Sequence, residues 1–189
     1  MQDENHIDHW HALITGPVRL ATSTALCATH SRGVAAQEDT PYEGGCFIFD
    51  IMCGPSYPSA APKVLLFTTG GGSVRFNPNL YNCGKVCLSL LGTWQGAQGE
   101  QWDANVSSLL QVMVSIQALI LVPQPYFNEP GYESSMGTPK GDTASFDYNS
   151  VIREATIKFA INGNRRRSPI PFSESAADSR VFGRHAEEP

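Results

Sequence analysis

Charged side chains are scarce in this 189-residue chain, at 16% of the composition, with 13 Lys and Arg against 18 Asp and Glu and a net charge of −5. So few cations cannot neutralise a run of phosphates, so no nucleic-acid partner is expected. Long apolar runs are missing too. The most apolar stretch, Leu109 to Val122, is broken by Gln111, Ser115 and Gln117 and falls short of the roughly 20 residues that cross a bilayer, so no membrane partner is expected. The N-terminal residues, Asp3, Glu4, Asn5 and His6 among them, contain no apolar signal-peptide core. The five cysteines (Cys27, Cys46, Cys53, Cys83 and Cys87) are odd in number, which favours free thiols in a reducing compartment, the cytosol or the nucleus. Gly70-Gly71-Gly72 lacks the Lys-Ser/Thr that a phosphate loop needs, and Cys83-x3-Cys87 has no second Cys or His pair at matching spacing. Neither a nucleotide cofactor nor a metal is expected.

Hydrophobic residues, at 41%, suffice for one domain with a genuine core. His9 to Thr15 alternates Trp10, Ala12 and Ile14 against His11, Leu13 and Thr15, a strand ended by Gly16-Pro17. Residues 18–39 lose periodicity and become rich in Ala, Ser and Thr, so they read as a surface insertion in which Cys27 and His30 are incidental. Thr40 to Gly45 is a turn. Cys46 to Met52 places Phe47, Phe49 and Ile51 on one face of a strand, and Val64 to Thr68 is a third strand. Short strands joined by tight turns favour an antiparallel meander.

A loop from Gly92 to Asn105 carries Trp94 and Trp102. Ser108, with Gln111 three residues on, forms a capping box that opens a helix. Leu109, Leu110, Met113, Ile116, Leu119 and Ile120 are expected to face inward, with Val112, Val114 and Leu121 widening the stripe, so the helix reads as the buried spine. Pro123 stops it. A Pro/Gly loop from Pro125 to Gly141 precedes a second amphipathic helix, with Val151, Ile152, Ala155, Phe159 and Ala160 inward and Asn162-Gly163 at its end. From Asn164 to Pro189 the pattern is gone, and Arg165-Arg166-Arg167 reads as a solvated charge run on a frayed tail. The expected organisation is an α+β core over 1–163 and a disordered tail over 164–189.

The chemistry concentrates in Asn77-Pro78-Asn79-Leu80-Tyr81-Asn82-Cys83-Gly84-Lys85-Val86-Cys87-Leu88. A carboxamide and a thiol lie eight residues apart on a turn-rich path, which points to a nucleophile with a neutral donor placed near its developing charge. The histidines (His6, His9, His11, His30 and His185) are all distant from Cys87 in sequence, so a Cys-His protease is excluded. A buried, inert thiol stays open at this point.

The same segment resembles the active site of ubiquitin-conjugating (E2) enzymes, in which His-Pro-Asn precedes the catalytic cysteine by eight residues. Trp10 through Pro17, the Thr40–Gly45 turn, Tyr57-Pro58 and Pro62-Lys63-Val64 match family landmarks in order, and the resemblance spans roughly residues 9–162. Asn-Pro-Asn-Leu-Tyr, the Trp94–Trp102 loop and the run Pro125 to Tyr132 are similar to the large E2 enzymes of the BRUCE/Apollon type. The resemblance implies the UBC-like fold: an antiparallel meander of four strands, a central buried helix and C-terminal helices. It implies that Cys87 accepts ubiquitin from an E1 as a thioester and passes it to a substrate lysine, with or without an E3 ligase. Asn79 would stabilise the oxyanion, as an amide donates without titrating, or brace the loop. Glu129 would orient or desolvate the incoming lysine. Tyr81, Leu88, Asn77 and Asn128 would bind or shape the channel.

Three departures stand out. Asn77 replaces the usual, structural His, and Ser59 replaces a large apolar residue that many E2 enzymes present to E3 partners. The chain is expected to begin at or just before the second family strand, without the N-terminal helix that contacts E1. Cys83 would allow a redox-regulated disulfide with Cys87 if the loop brought the backbones within bridging distance. Two other functions stay open: a non-catalytic E2-like interaction domain of a larger protein, and an E2 for another ubiquitin-like modifier.

Overall fold

The computed structural model describes residues 9–16, 39–96 and 99–165. The expected insertion, apart from Asp39, and the expected tail beyond Arg165 lie outside the described residues, as does everything ahead of His9.

Strands β1 (His9–Thr15), β2 (Cys46–Met52) and β3 (Lys63–Leu66) form an antiparallel sheet in the order β1-β2-β3. The two-residue alternation sends Phe47, Phe49 and Ile51 of β2, Val64 and Leu66 of β3 and Ile14 of β1 into the core. The register opposes Ala12 to Phe49 and Ile14 to Phe47. β3 ends before the expected Thr68 because the chain turns off the ladder there. Phe67 N–H donates to Ile48 O, but Ile48 N–H donates to the Thr68 hydroxyl, which replaces a backbone acceptor. Tyr42, Phe47 and Phe76 stack edge to face, with centroids 5.7 and 5.2 Å apart, and tie the turn ahead of β2 to the segment that leads into Asn77.

Helix α1 (Leu109–Ser115) packs on this sheet, and its capping box is present as expected: Ser108 accepts from Gln111 N–H, and the Gln111 side chain accepts from Ser108 N–H. The helix continues through a wider, π-type turn (Ile116–Ile120), closed by Leu121 N–H donating to Ile116 O at 3.1 Å. Its buried face differs from the expected one. Val112, Ile116, Ile120 and Leu121 are buried, whereas Leu110 and Leu119 are 68% and 60% exposed. Leu110 lies two residues before Val112, about 200° around the axis, so both cannot face the sheet. Leu119 would return to the side of Ile116 in an α-helix. The wider turn rotates less per residue and leaves it short of the core, while carrying Leu121 in.

Helix α2 (Pro139–Ala155) starts inside the expected loop, with Thr138 accepting from Gly141 N–H as its cap and Pro139 in its first turn. Its buried face is Gly141, Ser145, Ile152 and Ala155, while Val151 faces water. Small residues lead because the helix crosses backbone closely: a Cβ at Gly141 would fall 2.1 Å from Ser135 O. The helix passes through a second wide turn (Thr156–Ile161) into α3 (Asn162–Arg165), running beyond the expected stop at Asn162-Gly163. Trp102, from the long loop, donates through Nε1 to Pro58 O at 2.6 Å and packs on Tyr57.

The observed face of α1 makes a direct prediction. Ile116→Ala should cost about 2–5 kcal/mol in urea unfolding, and Leu110→Ala should stay within about 0.5 kcal/mol of the parent.

Candidate active site

Residues 79–87 fold into a short hairpin. Leu80 pairs with Val86, Tyr81 N–H donates to Lys85 O and Cys87 N–H donates to Asn79 O at 2.9 Å. The arm that ends in Cys87 also leans on the sheet, with Lys85 bridging Leu65 and Leu66 N–H donating to Gly84 O. Gly84 makes both contacts possible. Its φ is +94°, and a Cβ there would sit 2.8 Å from Leu66 O. The Cys87 backbone is therefore fixed from both sides.

Thr93 adds a clip that composition did not reveal. Its hydroxyl donates to Val86 O at 2.7 Å and accepts from Leu88 N–H at 3.0 Å, so one side chain holds both neighbours of Cys87. Leu88 is buried and, with Ser89, Leu90, Gln111, Ser115 and Leu119, lines an open groove beside the cysteine.

Asn77 is fully buried and uses its whole carboxamide. Nδ2 donates to the Tyr42 hydroxyl at 3.0 Å and to Ile120 O at 2.7 Å, while Oδ1 accepts from Asn79 N–H at 2.8 Å and from Asn128 Nδ2 at 3.4 Å. All four of its bonds are made. Asn128 donates to Leu119 O at 3.0 Å as well, so it braces the helix end. Tyr42, which the sequence reading placed only in a turn, passes the chain of bonds on to Phe76 O at 2.9 Å. Burial pushes its phenol well above the ordinary range, the bond from Asn77 only partly opposing this.

Asn79 turns its Nδ2 toward the thiol-bearing residue and donates to Cys87 O at 3.0 Å. Glu129 follows a single helical turn (Pro125–Asn128) and lies 3.2 Å from Arg75 Nη2. Tyr81 lies beneath two cations, with the Arg75 guanidinium carbon 4.4 Å and Lys85 Nζ 5.9 Å from its ring centroid. The fold thus joins Asn77, Asn79 and Asn128 in one bonded network beside Cys87 and sets Tyr81 and Glu129 against Arg75, while Leu88 lines the groove. Arg75, absent from the expected set, links Glu129 to Tyr81. Only its sequence neighbourhood, two residues before Asn77, hinted at it.

Cys87 is a buried residue, and burial raises its thiol pKa, with Lys85 and Arg75 pulling it back and Cys83 adding to the rise. Among the described residues, no imidazole or carboxylate bears on it. Cys83 is exposed at the hairpin tip, and Cys87 ends an extended arm beyond it, so a direct disulfide would require the tip to fold back.

Two outcomes follow from this geometry. Iodoacetamide labelling of Cys87, read by site-resolved mass spectrometry with Cys83 as internal reference, should still climb above about pH 8.5, where an ordinary thiol is half ionised, and Lys85→Glu should move its midpoint further up. Asn77→Ala strands Ile120 O and Asn79 N–H and should cost roughly 2–4 kcal/mol in thermal or urea unfolding.

Comparison with known proteins bears out the resemblance. The family described as "Ubiquitin-conjugating enzyme" matches residues 21–150, more than half of the chain. The chain is 51% identical over 169 residues to the "Dual E2 ubiquitin-conjugating enzyme/E3 ubiquitin-protein ligase BIRC6" of Homo sapiens, a span of 89% of this chain and 3% of that protein. It is 53% identical over 146 residues to a probable ubiquitin-conjugating enzyme of Acanthamoeba polyphaga mimivirus, 77% of this chain and 10% of that protein. It is also 46% identical over 164 residues to a probable ubiquitin-conjugating enzyme of Caenorhabditis elegans, 84% of this chain and 22% of that protein. The chain thus spans a small part of each of these relatives. With the α+β meander and the hairpin-borne thiol, these matches make the chain a member of the ubiquitin-conjugating enzyme family.

Proposed function

We propose that the chain carries ubiquitin as a thioester on Cys87 and transfers it to a lysine of a protein substrate. The observation that carries this reading is a buried cysteine whose carbonyl accepts from the Asn79 carboxamide, with no base bearing on its thiol among the described residues. A thiol so placed is poorly suited to attack an unactivated amide, which needs a proton acceptor. It suits exchange with an activated acyl group. The Cys87 thiolate attacks the E1–ubiquitin thioester, the E1 thiol leaves, and the acyl group is conserved. A lysine amine then attacks the new thioester carbonyl and loses its proton. The Cys87 thiolate departs, and an isopeptide bond remains.

Asn79 serves both steps by position. One Nδ2 hydrogen goes to Cys87 O, and the other is left for the oxyanion of the tetrahedral intermediate. Glu129 supplies the negative charge that draws the lysine in, and Tyr81 the apolar wall beside it. E1, ubiquitin, a protein substrate and an E3 ligase are the partners of this reading. The free thiols of Cys83 and Cys87 fit a reducing site of action, cytosolic or nuclear.

Incubation with E1, ATP and ubiquitin should give a reductant-sensitive adduct on a non-reducing gel, absent in Cys87→Ala. Asn79→Ala should still charge but discharge to lysine about 100-fold more slowly. A chain that forms no adduct with ubiquitin, but does with another modifier and its own E1, would reassign the cargo.

A further inference from the structure

Arg75 touches every part of the pocket that an incoming amine needs. Its Nη2 donates to Pro78 O at 2.6 Å and lies 3.2 Å from Glu129 Oε2, while its guanidinium carbon stands 4.4 Å from the Tyr81 centroid. A carboxylate, a carbonyl and an aromatic face are the three features that hold an alkylammonium. All three are already taken by a cation of the chain itself. The charges of Arg75 and Glu129 both bear on Tyr148, whose phenol burial pushes up to about 12, so it adds no competing anion. Arg75 is 41% and Glu129 37% exposed, so the pair is open to exchange.

Resting on the assignment of Glu129 to the acceptor lysine, we propose that Arg75 is an internal occupant of the acceptor site and must be displaced by the arriving ammonium. Displacement costs least when the guanidinium finds another anion. The site therefore selects protein lysines with an Asp or Glu beside them, which receive Arg75 as the lysine takes Glu129. Lysines flanked by cations offer no such exchange and are disfavoured. A half-exposed ion pair and one cation–π contact set the scale at about three- to tenfold in apparent affinity.

The test uses the whole chain, charged with ubiquitin and chased with two peptides, each carrying one lysine beside either Asp or Arg. The parent should show a KM about three- to tenfold lower for the Asp peptide. Arg75→Gln should lower KM for the Arg peptide by a similar factor, the effect falling on KM rather than kcat, and so erase the preference. In the Glu129→Gln background the same substitution should change nothing further. Equal KM values in the parent, or an Arg75→Gln effect confined to kcat, would overturn the proposal while leaving thioester chemistry intact. Failure to charge would instead sink the proposed function. Occupancy is then still read on uncharged protein by titrating n-butylammonium and following the Arg75 Nε–H resonance. Displacement in the parent and tighter binding in Arg75→Gln support it; no binding to Arg75→Gln overturns it.

Discussion

The hairpin that carries Cys87 depends on one carboxamide. Asn77 joins Tyr42 ahead of β2, the end of the α1 turn at Ile120, the backbone of Asn79 and the side chain of Asn128. These groups come from four separate stretches of chain and meet at the fully buried Asn77 side chain. Each bond alone contributes about 1 kcal/mol net, but an unmade one at such a site costs more. The brace therefore behaves as a unit. Through Asn79 it sets the line of the arm opposite Cys87, and through Ile120 and Asn128 it fixes the distance to the loop that presents Glu129.

Much of this was legible in the residues. The two-residue alternation located β1 and β2 at their observed ends, and Ser108 with Gln111 located the start of α1, because pleat and capping are local physics. The inward face of α1 was less legible. Its residues are apolar nearly all round, so hydrophobicity could not choose a face, and the π-type turn at Ile116 altered the period midway. The start of α2 was hidden because its buried positions are Gly141 and Ser145, chosen for closeness rather than apolarity. Cys87 and Asn79 were singled out by their eight-residue spacing and the family resemblance, and Glu129 by that resemblance alone. Arg75 and Thr93 were not, since their roles arise from contacts across the hairpin that no spacing rule encodes.

The electrostatics around the Cys87 hairpin follow from a chain poor in charge. Arg75 and Lys85 both lie over Tyr81, and Glu129 pairs with Arg75. In such surroundings a few charges decide the local field, because little else competes with them. The cations restrain the rise that burial imposes on the Cys87 thiol, while the carboxylate shares its charge with one of them. On the helical side, Gln111 and Ser115 of α1 and Leu119 of the wide turn after it line the groove beside Leu88.

The nature of the Asn77 brace also separates two quantities that most active sites mix. Its members are carboxamides, backbone groups and a phenol whose ionisation has been pushed further away from neutrality. An imidazole in the same place would gain a proton near pH 6.5 and pull the hairpin with it. Here the brace itself holds no group that gains or loses a proton across that range, so the positioning of the Cys87 hairpin by this network and the ionisation of the thiol respond to pH separately.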